Sequence, residues 1–470
     1  MRSACALLLI VGSTLLAPFG AAHGRQDPPV RPARKPLAIK GAKVYPVSAP
    51  PIEGAVILLD GTRIKAIGKD VQIPGDATVI DATGRVIIPG LVDAGSSVLV
   101  PRGDSGTSGS AEHDVADGVD TFSEEDKEVL QSGVTTALVR PLARGQFNGL
   151  EAVLRLLPNR DPQRFYLRRA AALKMTLGFS GADTSTAQQR QQDLLAARQS
   201  FEGAKAYKET WDKYRKDLAE YEQKKKQWDE QQKKTPPKAD PPKADPPKAD
   251  PPKPDPSKPA APEPLKEEPK KPAKPRVDPR SEVLVRALDG QLTVHIEAHA
   301  ADSIEHALAL AAEFKLKIVL EGATEAHLVA EAIAKAKVAV ILGPVFRYGI
   351  PKVDYVNHAM DCAAVLAQAN VEFAIGSFPN PAAGHSGSGA SRFLLEAAAC
   401  AVAHGVAPER ALRAVTLDAA KLAGVDRAVG SLEPNKAADL VILTAEPFDS
   451  AARVDRVILA GEVVYERKSD

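Results

Sequence analysis

Ile80-Asp-Ala-Thr-Gly-Arg-Val-Ile-Ile-Pro-Gly-Leu-Val-Asp-Ala94 joins two kinds of sequence. Upstream, over residues 37–88, short strand-like runs alternate with tight turns. Ala55-Val-Ile-Leu-Leu59, Asp60-Gly61 and Arg63-Ile-Lys-Ala-Ile67 predict a hairpin, because Asp-Gly tolerates the positive φ of a primed turn. Downstream, Leu91-Val-Asp-Ala94 opens a series of apolar runs that continues at residues 134–139, 292–298, 317–320, 338–342 and 371–375. Such runs suit strands covered on both faces, which indicates a parallel sheet. Alanine-rich helices are predicted over 304–314, 327–336 and 391–404. This βα rhythm fits a barrel or an open doubly wound sheet, and periodicity does not choose between them. No Gly-rich dinucleotide fingerprint follows the first strand. Strands return at Asp439-Leu-Val-Ile-Leu443, Arg456-Val-Ile-Leu459 and Val463-Val-Tyr465, so β units from both ends can complete one sheet.

The rhythm breaks over residues 201–280. Tyr207, Trp211, Tyr214, Leu218, Tyr221 and Trp228 fall at 4-3-4-3 spacing with Lys225 in the missing slot, giving a charged helix one aromatic face. That face is expected to pack on the main body or on a partner helix, with ligand contact as the alternative. Pro236-Pro-Lys-Ala-Asp240 then repeats twice and varies as Pro251-Pro-Lys-Pro-Asp255. Proline removes backbone donors while Lys and Asp hold water, so a disordered, polyproline-like spacer is expected, with cell-wall contact as a further role.

Residues 1–22 have the form of a secretory signal: Arg2, an apolar run too short to span a bilayer, then small residues before His23. Residues 23–35 form a flexible lead. The mature chain is therefore expected to be exported and periplasmic, with no membrane association. With 44% apolar residues the chain can build a large core, and a formal net charge of +1 with few aromatics argues against nucleic-acid partners. Cys362 and Cys400 sit in alanine-rich helical contexts and are expected to be buried free thiols.

The segment 80–94 resembles the start of the amidohydrolase-superfamily barrel, especially its imidazolonepropionase-like members. Ala411-Leu-Arg-Ala-Val-Thr-Leu-Asp-Ala-Ala-Lys-Leu-Ala-Gly424 and Gly430-Ser-Leu-Glu-Pro-Asn-Lys-Ala-Ala-Asp-Leu-Val-Ile442 resemble the family's closing signature. The resemblance implies a TIM-like (β/α) barrel over 89–200 and 281–428, with a composite β-sandwich from 36–88 and 429–470. It also implies hydrolysis of non-peptide carbon–nitrogen bonds, in which a divalent metal such as zinc acidifies water and a carboxylate moves its proton. The family's ligands stand at the C-terminal ends of the strands. Carried onto this chain, its His-x-His falls on Gly95 and Ser97. The later histidines fall on Glu297, with His299 two residues on and His295 two before, and on Gly322. The aspartate falls on Phe378.

Too few donors remain for a three- or four-ligand site, so no metal ligand is assigned. Glu297 and His299, at strand period two, are the candidate acid–base pair, with Glu321 and His385 as candidate pocket residues. Two roles follow. One is a hydrolase of small C–N substrates, either metal-dependent or using Glu297 and His299 without metal. The other is an inactive exported binding or scaffold protein that keeps the inherited pocket for a small ligand.

Overall fold

The computed structural model describes residues 35–101, 108–158, 165–178, 187–234, 267–346, 357–378 and 387–468. The signal-like segment, almost all of the lead, the Pro-Lys-Ala-Asp repeats and His385 lie outside them.

Near the N-terminus, β1 (Leu37–Val44) pairs antiparallel with β2 (Ile52–Asp60), which turns into β3 (Arg63–Gly68). Asp60 faces Arg63 across that hairpin and Gly61 takes φ 59°, as the Asp-Gly pair predicts. β4 (Thr78–Asp81) and β5 (Val86–Pro89) then run parallel to β1.

The central strands follow. β6 (Leu91–Ser96), β7 (Val134–Val139), β9 (Ala152–Arg155) and β10 (Tyr166–Arg168) form one four-stranded sheet, in the order β10-β9-β7-β6. β8 (Phe147–Leu150) begins a six-stranded sheet with β11 (Ala172–Thr176), β12 (Thr293–Ala298), β13 (Ile318–Gly322), β14 (Ala339–Leu342) and β15 (Phe373–Ile375). From β11 to β15 every pairing is parallel. The two sheets meet at Glu151, between β8 and β9, and again where Phe378 N donates to Gly95 O at 2.9 Å. Among the described residues, strand pairing does not close them into a ring. The expected barrel is therefore present as a mixed α/β arrangement of two adjoining sheets.

The helices are α1 (Glu125–Gln131), α2 (Ala187–Lys234), α3 (Pro279–Leu288), α4 (Ala301–Phe314), α5 (Ala330–Ala336), α6 (Cys362–Gln368), α7 (Gly387–Ser391), α8 (Leu394–Ala403), α9 (Pro408–Ala414) and α10 (Leu417–Leu422). Local chemistry sets their ends. Asp278 caps α3, accepting from Ser281 N, and Pro279 needs no partner at the first position. α2 starts fourteen residues before the predicted 201, because Leu194, Ala197 and Phe201 are buried in the main core and extend the helix onto it. None of the described helices is long and apolar enough to cross a membrane.

At the C-terminus, β16 (Leu440–Leu443), β17 (Val454–Leu459) and β18 (Glu462–Glu466) join the first strands. β16 lies antiparallel to β5, with Leu440 opposite Pro89 and Leu443 opposite Val86. One eight-stranded sheet thus draws on both ends of the chain, where a two-layer sandwich was expected. Ile39, Ile57, Ile87, Leu440 and Ile458 form its own core. Arg155 ties that sheet to the central strands through a buried pair with Asp439, Nε to Oδ2 2.8 Å.

Cys362 is buried and free, whereas Cys400 is half-buried, more open than the sequence suggested. Burial pushes the Cys362 thiol up to about 12, and the thiolate is the reactive form. In a disulfide-exchange reagent at pH 8, native protein is expected to label at Cys400 first. Cys362 should follow only at the rate of unfolding.

Candidate functional site

His295 and Glu297 lie two residues apart on β12, so both project to the same side, and His299 continues that row just past the strand. Register places Glu321 of β13 opposite Glu297, and Lys174 of β11 opposite His295. Arg140 follows β7, and Glu151 sits between β8 and β9. The strands thereby gather six charged side chains: Glu151 and Glu321 are 0% exposed, His295 1%, Lys174 3% and Arg140 7%, with the Glu297 side chain at 13%.

Their signs alternate along a chain of contacts. Glu151 Oε2 lies 2.7 Å from His295 Nδ1, which lies 3.2 Å from Glu321 Oε1. Lys174 Nζ donates to Glu321 Oε2 at 3.0 Å and to Glu297 Oε2 at 2.6 Å. Arg140 Nη1 stands 3.3 Å from Glu297 Oε1, and His299 Nε2 stands 3.4 Å from the same oxygen. Three acids thus face three bases, counting His295 as protonated. Burial opposes every one of these charges, and the neighbours override it at all of them but Glu151. Glu151 and Glu321 raise His295 to about 10. Arg140 and Lys174 hold Glu297 well below the usual carboxylate range, and Lys174 with His295 does the same for Glu321. Glu151 goes the other way, pushed up by burial and by the Glu321 charge.

Above this layer the strand ends are filled by an aromatic ring. A Cβ at residue 95 would stand 2.7 Å from the Phe378 ring, one at 376 would stand 2.8 Å from it, and one at 343 would also overlap it. Glycine at these three positions therefore leaves the room the ring occupies. The Arg140 guanidinium packs over the ring, 4.7 Å from its centroid. Gly322 repeats the pattern, because any side chain there would meet the His299 ring. Asp93 is consumed locally, accepting from Ser377 Oγ and Ser391 Oγ, both at 2.6 Å.

One group resists this account. Glu151, His295 and Glu321 each offer a donor atom, all within 4.8 Å of one another. Both Glu151 oxygens are buried and lack a hydrogen-bond partner of acceptable geometry. The expectation of too few converging donors therefore fails in this deeper layer.

Residues 282–464 match the family model described as "Amidohydrolase family". A solved amidohydrolase from Thermotoga maritima MSB8 superposes over 92% of this chain and 100% of its own, with TM-score 0.71 and 23% identity. Residues 282–464 carry the pattern of that family, and the chain shares the fold of the solved amidohydrolase. Phenylurea hydrolase B shares the fold more loosely, at TM-score 0.50 and 15% identity over 92% of this chain and 97% of its own. Among curated proteins, a dihydroorotase of Geotalea daltonii is 44% identical over 57 residues, and one of Mycobacterium tuberculosis is 38% identical over 65. These matches span only 12% and 14% of this chain, and 13% and 14% of the respective dihydroorotases. None of these similarities singles out an imidazolonepropionase-like subtype.

Glu297, His299 and Glu321 do come together, and His385 lies outside the described residues. Sequence reasoning missed Arg140, Lys174 and Glu151. A signal for Lys174 was present: it is the one charge in the apolar run Ala171-Ala-Leu-Lys-Met175, and a lone charge in a doubly covered strand must be buried with partners.

Proposed function

We propose that this chain is an amidohydrolase-superfamily member that does not hydrolyse its ligand through the family's metal, and that it serves as an exported binding or scaffold protein. The observation that carries this reading is the Phe378 ring. It stands in the space shared by Gly95, Gly343 and Gly376, at strand ends where the resemblance calls for ligands. Glycine, serine and phenylalanine at positions 95, 97, 322 and 378 supply no imidazole or carboxylate, so a divalent ion held by the family's set does not fit. The ammonium of Lys174 and the guanidinium of Arg140 already neutralise Glu297 and Glu321 below it.

Metal analysis of the purified protein is expected to find no stoichiometric zinc. Cyclic amides of the dihydroorotate type, chosen from the short dihydroorotase matches, should show no chelator-sensitive turnover. Stoichiometric metal with chelator-sensitive hydrolysis would sink the reading.

The three donor atoms converging within 4.8 Å favour one rival, a C–N hydrolase with its cation one layer deeper, between Glu151, His295 and Glu321. That rival requires metal-dependent turnover that disappears in Glu151→Gln. A metal-free Glu297–His299 mechanism instead requires turnover that resists chelators and is lost in Glu297→Gln.

A further inference from the structure

Beyond Phe201, which packs 5.8 Å from Phe147 and 5.3 Å from Phe314, α2 carries its aromatic face outward. Tyr207, Trp211, Tyr214, Leu218, Tyr221, Lys225 and Trp228 are all half-buried there. The sequence pattern suggested that the main body or another helix would cover them. Another helix does meet the face at its inner end, where Tyr207 Oη donates to Glu282 Oε1 of α3 at 3.3 Å. A returning strap, residues 267–278, runs along it farther out, reaching Tyr207, Trp211 and Lys225. Within it Pro269, Pro272 and Pro275 are half-buried while residues 268, 270, 271, 273, 274 and 276 are exposed, and residues 268–278 form no hydrogen-bonded secondary structure. Burial at period three is the signature of a polyproline II helix, which has three residues per turn.

The contacts fix an antiparallel register. Glu268 pairs with Lys225 at 2.6 Å, and Lys225 lies over Trp228. Lys274 Nζ sits 5.9 Å from the Trp211 ring centroid, and Asp278 N donates to Tyr207 Oη at 3.4 Å. Dimensions agree with that register. Ten polyproline residues from 268 to 278 advance about 31 Å, and the helix from 225 back to 207 covers about 27 Å. One proline turn of about 9 Å therefore spans two rungs of the aromatic ladder, about 10 Å. Trp211 Nε1 is buried without an acceptor, so it can still take a carbonyl from a ligand.

We propose that the outer face of α2 is a polyproline-binding surface. Residues 267–278 are its resident ligand, and it accepts from outside a segment of the same class: proline at every third position, lysines between, and an acidic residue at the Lys225 end. Pre-set proline backbones lose little entropy on docking against aromatic rings, which is why this pairing recurs in peptide recognition.

Both tryptophans of the chain lie on this face, so tryptophan fluorescence, excited beyond the tyrosine band, reports on it. In the full chain with residues 267–277 replaced by an equal length of Gly and Ser, a free peptide of residues 267–278 is expected to shift that fluorescence saturably. A peptide with its three prolines moved one position along should bind at least tenfold more weakly. Absence of saturation, or equal binding by the shifted peptide, overturns the proposal. In the otherwise unchanged protein, Trp211→Ala is expected to speed tryptic cleavage between Lys270 and Lys271 at least fivefold. An unchanged rate would mean that the rings do not hold the strap.

Discussion

Lys174→Met is expected to lower folding stability by about 3–5 kcal/mol, the usual cost of removing one partner from a buried ion network. Met keeps the length of the side chain but leaves Glu297 and Glu321 facing each other across paired strands with only Arg140 close to both. Urea titration with an unchanged m-value checks it. Adding Glu321→Gln should restore part of the loss, so that the double variant falls short of the sum of the singles by about 0.5–3 kcal/mol. Acid gives a second readout. Glu297 and Glu321 are held below the ordinary carboxylate range, so their contribution is complete above the unfolded pKa and is lost as pH falls through their folded values. Without the ammonium that descent should flatten. Additive singles with an unaltered acid limb would mean that the six groups do not act together.

Phe378→Ala is expected to cost about 3–5 kcal/mol through the cavity it opens. The informative experiment pairs it with Gly95→Ala. Alone, Gly95→Ala drives a methyl group into the ring and should cost about 1–3 kcal/mol. In the Phe378→Ala background it should cost markedly less, since the ring supplies its three nearest contacts. Equal costs in both backgrounds would show that the ring moves aside freely, and the argument that it fills the strand ends would fall.

Much of the architecture was legible because it rests on short-range chemistry. Asp60-Gly61 specified its hairpin, and the run 134–139 became β7 with the same limits. β8 to β11 were not foreseen. They are only three to five residues long, and glycines at 145 and 149 interrupt the apolar pattern that marks a strand. The site divides along the same line. Glu297, His299 and Glu321 could be placed because alternation along a strand, and pairing between neighbours, follow from spacing. Arg140 and Glu151 could not, since what brings them to His295 and Glu297 is the way separate sheets adjoin. Glycine at 95, 322, 343 and 376 reads as the loss of a side chain. Only the coordinates show a ring or an imidazole standing in each gap.

The shared terminal sheet bears on how the molecule is made. β5 leaves the ribosome long before β16, its hydrogen-bonding neighbour. At a synthesis rate of roughly 5–20 residues per second, the first-made strands wait tens of seconds with an open edge, the kind of surface that recruits stray strands. A holding chaperone acting on this protein should therefore contact residues 37–89 for as long as the last strands are unmade. Shortening the chain before Leu440 should produce aggregation rather than a smaller folded protein.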